Sequence, residues 1–281
     1  MQSNGTLLTE ELADFFVENG FRIGLSLDGT QEVHDLTRPY LRGGSSFQDV
    51  LRAVSLTRER NIGGGVIAVV TRKNIDFIDE IYDFFKTHRI HAKFNPLLKT
   101  GRALKCLDEL AIAPAEYANS MVHLFNRWFF EDKYSISIDP FETIISNLVT
   151  GLPFGCNYSG NCQQGFISIG PQGDVYPCGQ FDGEQEFHLG NINLQSMEEI
   201  DSSKIRAYFR QRTPQNVSGC ISCDYVNICN SGCPHDAYLS AGTIFARTGF
   251  CAANKILFSK ISSALEDELD KAVIGDINGR R

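Results

Sequence analysis

The chain has 281 residues, 42% of them hydrophobic and 20 of them Phe, which is enough for one large domain or two ordinary ones with a sizeable core. The 26 basic and 34 acidic residues give a net charge of −8 with no strongly basic run, so neither nucleic acid nor an anionic membrane surface is an expected partner. No apolar run is long enough to span a bilayer and the first residues show no signal-peptide pattern, so we expect a cytoplasmic protein.

The first hundred residues predict strands that alternate with helices. Apolar residues at helical spacing predict three helices, over 7–19, 46–60 and 75–87. Three apolar runs predict buried strands, over 21–27, 66–70 and 91–98. We expect Asn74 to cap the third helix, Gly63-Gly64-Gly65 to form a turn, and Ser3-Asn4-Gly5 to be the end of a further strand. This alternation indicates βαβ units and a parallel sheet.

After residue 112 the sequence predicts helices without strands between them. Amphipathic helices are predicted over 114–132 and 141–150, so we interpret 113–152 as a helical bridge. From 153 the chain has short segments and Gly-rich turns, with a β-hairpin predicted from Gly165–Ile169 and Asp174–Tyr176. A closing helix is predicted over 254–272, followed by a frayed tail over 273–281.

Eight of the nine cysteines lie in the C-terminal half, and only Cys106 stands apart. Four of them form a dense array, Cys220-x2-Cys223-x5-Cys229-x3-Cys233. Thiols at such spacings in loops can converge on a metal or cluster, and in a reducing compartment that role is favoured over disulfides. Spacing alone leaves two alternatives open, two four-thiolate zinc sites or two iron–sulfur clusters.

The order and spacing of the cysteines resemble a known domain. The pattern Cys162…Gly173-x4-Cys178…Cys220-x2-Cys223-x5-Cys229-x3-Cys233…Cys251 resembles the seven-cysteine pattern of the SPASM domain, the C-terminal extension of many radical S-adenosylmethionine (SAM) enzymes. Cys156 stands where sulfatase-maturating members have an eighth ligand.

The N-terminal half resembles the same family. Ser3–Leu8 is similar to its T-N-G-T-L-L segment on the third barrel strand, and Gly24–Gly29 with His34, Asp35 and Arg38 is similar to the fourth strand and its loop. The resemblance covers residues 3–260. It implies an α/β fold: the C-terminal part of a (β/α)6 radical SAM partial barrel over 1–112, the bridge over 113–152, and a small loop-rich SPASM domain with a β-hairpin and two Fe–S sites over 153–262. Residues 263–281 would be the end of the C-terminal helix and the tail.

The resemblance implies two auxiliary [4Fe-4S] clusters and a bound SAM. One cluster would be ligated by Cys156, Cys162, Cys178 and Cys233, and the other by Cys220, Cys223, Cys229 and Cys251. Ser26 would bind SAM through its hydroxyl, Arg38 would bind its methionyl carboxylate, and Leu98 would contact its adenine. The alternatives are a strand Ser, a surface Arg and a core Leu. His235 is expected to be a surface group or to lie just behind the ligands.

The chain departs from the family in two places. It contains no Cys-x3-Cys-x2-Cys motif, which would hold the third, SAM-cleaving [4Fe-4S] cluster, so we expect a fragment, a mis-started reading frame or half of a split enzyme that does not cleave SAM alone. Sulfatase maturases carry a catalytic Asp directly after the third SPASM cysteine, whereas Gly179 follows Cys178 here. Asp182 is then either a displaced base or a solvated turn aspartate, and no catalytic residue is assigned.

The function implied by the resemblance is that of a maturase which modifies a peptide or protein side chain through a 5′-deoxyadenosyl radical. Its partners would be that peptide or protein substrate and an electron donor such as ferredoxin or flavodoxin. Two alternatives stay open: a non-catalytic Fe–S or zinc module that binds peptides, and a sulfatase-maturating enzyme that generates formylglycine.

Overall fold

The computed structural model describes residues 1–160 and 162–279, without the side chains of residue 163 and of 272–279. Its contacts divide the chain into two compact units, Met1–Glu142 and Thr143–Arg281. None of the helices in the described part of the chain is both long and apolar enough to cross a membrane.

The first unit is built on a five-stranded parallel sheet whose spatial order follows the sequence order. The strands are β1 (Gln2–Ser3), β2 (Ile23–Ser26), β3 (Gly63–Val70), β4 (Ala92–Pro96) and β5 (Ile138–Asp139). The helices between them are α1 (Glu10–Glu18), α2 (Gln31–His34), α3 (Phe47–Glu59), α4 (Ile78–Thr87), α5 (Leu107–Leu110) and α6 (Pro114–Asn126). Since every strand pair is parallel, all carboxyl ends lie at one edge of the sheet. The predicted α/β class is confirmed.

Helix α4 covers the sheet with one apolar face. Its buried residues, Ile78, Ile81, Tyr82 and Phe85, follow the i, i+3, i+4, i+7 spacing that faces a core. Helix α1 begins at Glu10 because the Thr9 hydroxyl accepts a hydrogen bond from the Leu12 N–H. The predicted start at residue 7 is therefore too early.

The Gly63-Gly64-Gly65 segment is part of strand β3, so its prediction as a turn is wrong. The pairing with β2 shifts register here, because Ile23 faces Gly63 whereas Leu25 faces Val66. An extra residue is accommodated on β3 as a bulge, for which Gly65 adopts φ +82°. A glycine-rich sequence at the start of a strand thus marks a bulge rather than the end of the element.

Asn74 does not cap the third helix as predicted. Its Oδ1 instead accepts hydrogen bonds from the Thr71 N–H, at 2.7 Å, and from the Thr71 hydroxyl, which closes a tight turn after β3. Residues Ile75–Phe77 form a 3₁₀ turn, and the α-helix begins only at Ile78.

The predicted bridge contributes largely to the first unit. Helix α6 is followed by a π-helical turn, Arg127–Glu131, and Trp128 donates its indole N–H to the Ile136 carbonyl at 2.7 Å. Strand β5 then pairs with β4 in the sheet, which no apolar run in the sequence had indicated. The structure therefore divides the chain at Glu142, within the stretch 113–152.

The second unit has little regular structure beyond its helices. Its three-stranded antiparallel sheet consists of β6 (Ser168–Ile169), β7 (Asp174–Tyr176) and β8 (Gly190–Asn191). The helices, the first of which begins in the first unit, are α7 (Phe141–Thr150), α8 (Met197–Asp201), α9 (Lys204–Arg210), α10 (Val226–Cys229), α11 (Pro234–Ala241) and α12 (Cys251–Gly279). The predicted hairpin is present, but its first strand begins at Ser168 rather than Gly165, and β8 is an additional strand.

The closing helix is longer than predicted at both ends. It begins at Cys251 rather than 254 and continues to Gly279, so the tail predicted over 273–281 is helical up to that residue. Residues 280 and 281 lie outside the described residues. The core of the second unit is a cluster of Tyr176, Phe181, Phe187, Phe209 and Ile244.

Replacing Gly65 with Ala should destabilise the first unit. A Cβ at this position would lie 2.9 Å from the His91 carbonyl oxygen, on a backbone with φ +82°. We expect the free energy of unfolding in urea to fall by about 1–3 kcal/mol. Gly64→Ala, one residue earlier and with ordinary Cβ contacts, is the matched control and should change it less. Equal effects of the two substitutions would contradict the bulge as the reason for Gly65.

Candidate functional site

Four of the predicted ligand cysteines line one cavity in the second unit. The cavity encloses about 390 Å³ of space, open solvent at its mouth included, and is lined by Cys220, Cys223, Cys229 and Cys251. Cys229 ends helix α10 and Cys251 begins helix α12, so the thiols come from separate loops and helix ends. The structure therefore brings together the four thiols that the resemblance assigned to one cluster.

The other four cysteines form a second group. Cys178, two residues after β7, lies close enough to Cys162 and Cys156 for ionisation of those thiols to raise its pKa, and ionisation of Cys156 would act in the same way on Cys233. Cys233 occupies the N-cap position of α11. The dense array at 220–233 is thus shared between the two groups, with its last cysteine in the second. Cys106 is exposed and belongs to the first unit.

Burial opposes ionisation of these thiols. It raises the pKa of Cys178 to about 11 and the pKa values of Cys229 and Cys233 to about 12, and neighbouring cysteines contribute in the same direction. A thiolate is the form that ligates metal, so a cationic centre must supply the stabilisation that water no longer provides. Once bound to such a centre, a thiol loses its proton outright.

The donor chemistry fits an iron–sulfur cluster. The thiols border a cavity, and the donor set consists of thiols alone. Buried polar atoms without partners, among them the Ser231 hydroxyl on the cavity wall, suit the sulfides of such a cluster as acceptors.

Asn147, which the sequence pattern did not single out, joins two cysteine-bearing segments. It is fully buried on α7, and its amide nitrogen donates to the carbonyls of Phe154 and Ile228, both at 3.1 Å. Its amide oxygen accepts from the Phe154 N–H at 2.9 Å. The turn that leads into Cys156 is therefore fixed against the helix that ends at Cys229.

Asp236 provides the equivalent connection between α11 and α12. Its buried carboxylate accepts hydrogen bonds from the Thr248 hydroxyl and from the main-chain N–H groups of Gly249 and Phe250. Burial raises the pKa of Asp236, and those two N–H donors partly offset this. The helix that begins after Cys233 is thus held against the turn that leads into Cys251. In sequence, Asp236 differs in no way from an ordinary acidic residue of a first helical turn.

His235 is buried, so of its two predicted positions the surface is wrong, and the position just behind the predicted ligands stays a prediction. Its ring packs edge-on against Phe181, with the ring centroids 4.9 Å apart. Burial lowers the pKa of His235, which favours the neutral imidazole. It packs in the core beside the turn that follows Cys178.

The three predicted SAM contacts lie at the carboxyl edge of the parallel sheet. Ser26 is the last residue of β2, Arg38 follows the short helix α2, and Leu98 comes two residues after β4. All three are partly exposed. Such an edge is where barrels of parallel strands place their ligands.

Arg38 is held in position by a buried acid. The Nε of Arg38 donates to Asp28 Oδ2 at 2.6 Å, and the Thr37 hydroxyl donates to the same oxygen at 2.9 Å. The other oxygen of Asp28 accepts from the Val69 N–H on the neighbouring strand. Arg38 is therefore no simple surface arginine, because its guanidinium is fastened to the ends of two strands.

His34 fixes the loop between Asp28 and Arg38. Its Nδ1 accepts from the Asp28 N–H at 3.3 Å, so the neutral ring carries its proton on Nε2, which lies 3.0 Å from the Ser46 hydroxyl. Ser46 in turn donates to the Arg38 carbonyl at 2.7 Å. Burial lowers the pKa of His34. The ring is fully buried, and the role shown by these bonds is structural.

Asp182 has the environment of a turn aspartate. It is exposed, directly follows the 3₁₀ turn Gly179–Phe181, and accepts a hydrogen bond from the Ser168 hydroxyl at 3.2 Å.

Each of the two units contains a stretch that matches a known protein family. Residues 1–85 match the radical SAM superfamily, and residues 156–224 match SPASM, an iron–sulfur cluster-binding domain. A serine-type anaerobic sulfatase-maturating enzyme of Bacteroides thetaiotaomicron is 31% identical over 255 residues, which cover 85% of this chain and 61% of that protein. A cysteine-type enzyme of Clostridium novyi is 30% identical over 268 residues, which cover 94% of this chain and 71% of the relative.

Among solved structures, that of native anSMEcpe with bound AdoMet matches with a TM-score of 0.82 and 25% identity, over 96% of this chain and 75% of that one. The fold and the thiol-lined unit thus define a protein that combines part of a radical SAM barrel with an iron–sulfur cluster-binding domain. The chain belongs to the radical SAM enzymes that carry a SPASM domain. It spans 61% to 71% of the length of the two sulfatase-maturating relatives.

Replacing Asp236 with Ala should loosen the cysteine-bearing loops. The Thr248 hydroxyl and the N–H groups of Gly249 and Phe250 would lose their buried acceptor, which costs about 1–3 kcal/mol. We expect lower unfolding stability and faster loss of bound metal to a chelator, measured on the anaerobically purified protein. Asp224→Ala, at an exposed position beside Cys223, is the control. Equal rates of metal loss in the two variants would show that Asp236 does not hold these loops.

Proposed function

We propose that the chain is part of a radical SAM/SPASM maturase that modifies a side chain of a peptide or protein, with an electron donor such as ferredoxin or flavodoxin as a second partner. The observation that carries this proposal is the division of eight thiols into two groups of four in a chain of this family. Each group combines cysteines from distant loops, as expected of ligands that act as a set.

The eight cysteines would hold two auxiliary [4Fe-4S] clusters. Cys156, Cys162, Cys178 and Cys233 would ligate one, and Cys220, Cys223, Cys229 and Cys251 the other. Thiolates that are costly to bury become favourable ligands when a cationic centre replaces water. Cluster binding would then contribute directly to folding of the second unit, whose strands are only two or three residues long.

At the sheet edge, Ser26, Arg38 and Leu98 would hold SAM. Arg38, fastened through Nε to Asp28, would bind the methionyl carboxylate as a charge-assisted pair. Ser26 would contribute its hydroxyl and Leu98 an apolar surface for the adenine. When bound and reduced in the whole enzyme, SAM would supply a 5′-deoxyadenosyl radical for hydrogen abstraction. The side chains of this unit would orient the cofactor and limit access of water.

Sulfatase maturation is the second candidate, because both relatives described above are named as sulfatase-maturating enzymes. Gly179 follows Cys178, and the nearby Asp182 is exposed and bonded to Ser168. These two features favour another side-chain modification over formylglycine formation. A binding module without catalysis is the remaining alternative, and the cofactor content and SAM chemistry separate it from an enzyme.

Iron content of the anaerobically purified chain tests the cluster assignment. We expect about eight irons per chain, four for each cluster. Cys162→Ser and Cys229→Ser should each reduce this to about four by removing one ligand from one group. Cys106→Ser, in the first unit, is the control and should leave iron unchanged. Stoichiometric zinc in place of iron, or loss of all iron in every ligand variant without unfolding, would contradict the assignment of two clusters.

SAM cleavage tests the enzymatic part of the proposal. The 281 residues contain no Cys-x3-Cys-x2-Cys motif, so this chain with SAM and a reductant should form no 5′-deoxyadenosine. A longer protein that joins such a segment to this sequence should form it, and Arg38→Ala should raise the KM for SAM in that protein. The control is Arg52→Ala, which changes an exposed arginine on α3 that is paired with Asp49. Absence of 5′-deoxyadenosine from the longer, cluster-loaded protein would favour the binding module.

A further inference from the structure

Arg212 is a buried cation that the resemblance does not assign to any role. It follows helix α9, and only 5% of its surface is exposed. Its Nε donates to the Ile244 carbonyl at 2.5 Å, and its Nη2 donates to the carbonyls of Ser231 at 2.8 Å and Ala246 at 3.2 Å. Its Nη1 has no hydrogen-bond partner among the described residues.

The thiols whose ionised forms would act on Arg212 come from both groups of cysteines. They are the thiols of Cys233 and Cys162, assigned to one cluster, and of Cys220 and Cys229, assigned to the other. No carboxylate of the described residues is among the largest of these contributions. Ser231, whose carbonyl accepts from Nη2, lies between Cys229 and Cys233 in sequence and lines the cavity of Cys220. Arg212 is therefore hydrogen-bonded to the segment that links Cys229 of one thiol group to Cys233 of the other.

A buried guanidinium with neutral partners alone is energetically unfavourable. Burial lowers the pKa of Arg212, and ionised thiols would oppose that shift. Removal of a charge from water costs several kcal/mol unless an opposite charge compensates it. Carbonyl oxygens supply only part of that compensation, and a donor without an acceptor adds its own penalty. An iron–sulfur cluster bound to the thiols would supply both the negative charge and the hydrogen-bond acceptor that Arg212 lacks.

We propose that Arg212 is a positive charge shared by the two auxiliary clusters, which raises the reduction potential of both, with Nη1 as a hydrogen-bond donor toward cluster sulfur. The inference rests on the proposed function, because it requires clusters at both thiol groups. Net charge, hydrogen bonds to sulfur and solvent exposure set cluster potentials. Reduction adds an electron to a cluster, so a fixed cation nearby stabilises the reduced form.

The test compares reduction potentials of anaerobically purified, iron-loaded variants by EPR-monitored titration. In Arg212→Met, the equilibrium constant for one-electron reduction of each cluster should fall at least tenfold, which is about 59 mV. Arg212→Lys keeps the charge and should restore most of this shift. Arg210→Met, at a half-exposed arginine paired with Asp201, should leave both potentials unchanged. A role confined to holding the loops would affect stability in Arg212→Met and Arg212→Lys alike, without this dependence on charge.

Iron-loaded Arg212→Met with unchanged potentials would overturn the inference. If Arg212→Met does not retain its clusters, wild-type protein and Arg212→Lys are labelled with ¹⁵N-arginine and examined by pulsed EPR in the reduced state. A nitrogen coupling present in the wild type and lost in Arg212→Lys supports the proposal, and the same coupling in both overturns it. Absence of iron from the wild type would instead contradict the proposed function itself.

Discussion

The second unit buries thiols that a metal or cluster would bind in their ionised form. Burial raises the pKa of Cys178 to about 11 and the pKa values of Cys229 and Cys233 to about 12. Without a cationic centre, these side chains would be protonated and would contribute only as small apolar groups. With one, they become ligands, and the free energy of binding becomes free energy of folding. Folding of this unit and binding of its cofactor would therefore be thermodynamically coupled.

The same constraint explains why the loops are held by buried polar side chains. Strands of two or three residues cannot position eight cysteines by themselves. Asn147 fixes the turn before Cys156 to the end of α10, and Asp236 fixes the start of α11 to the turn before Cys251. Arg212 donates hydrogen bonds to the carbonyls of Ser231, Ile244 and Ala246. The connections made by Asn147 and Asp236 each join a segment next to a cysteine of one group to a segment next to a cysteine of the other group.

The sequence was sufficient for the cysteine pattern and for most elements of the first unit. Short spacing between thiols is a local signal, and so is the apolar periodicity of α3, α4 and α6. The sequence-based predictions fail where the local structure is determined by residues that are distant in sequence. Strand β5 is two residues long and is defined by its pairing with β4. The sequence predicts a turn at Gly65, whereas the bulge is visible only in the register between β2 and β3. Asn147, Asp236 and Arg212 give no signal in the sequence, since their partners, apart from the Thr248 hydroxyl, are main-chain groups that no sequence motif specifies.

The assignment of two clusters is tested most directly by anomalous diffraction at the iron edge, on crystals of the anaerobically purified protein. The account predicts two compact iron peaks, one bounded by Cys156, Cys162, Cys178 and Cys233, and the other by Cys220, Cys223, Cys229 and Cys251. A single peak, a peak at the zinc edge instead, or a peak whose ligands mix the two groups would contradict it.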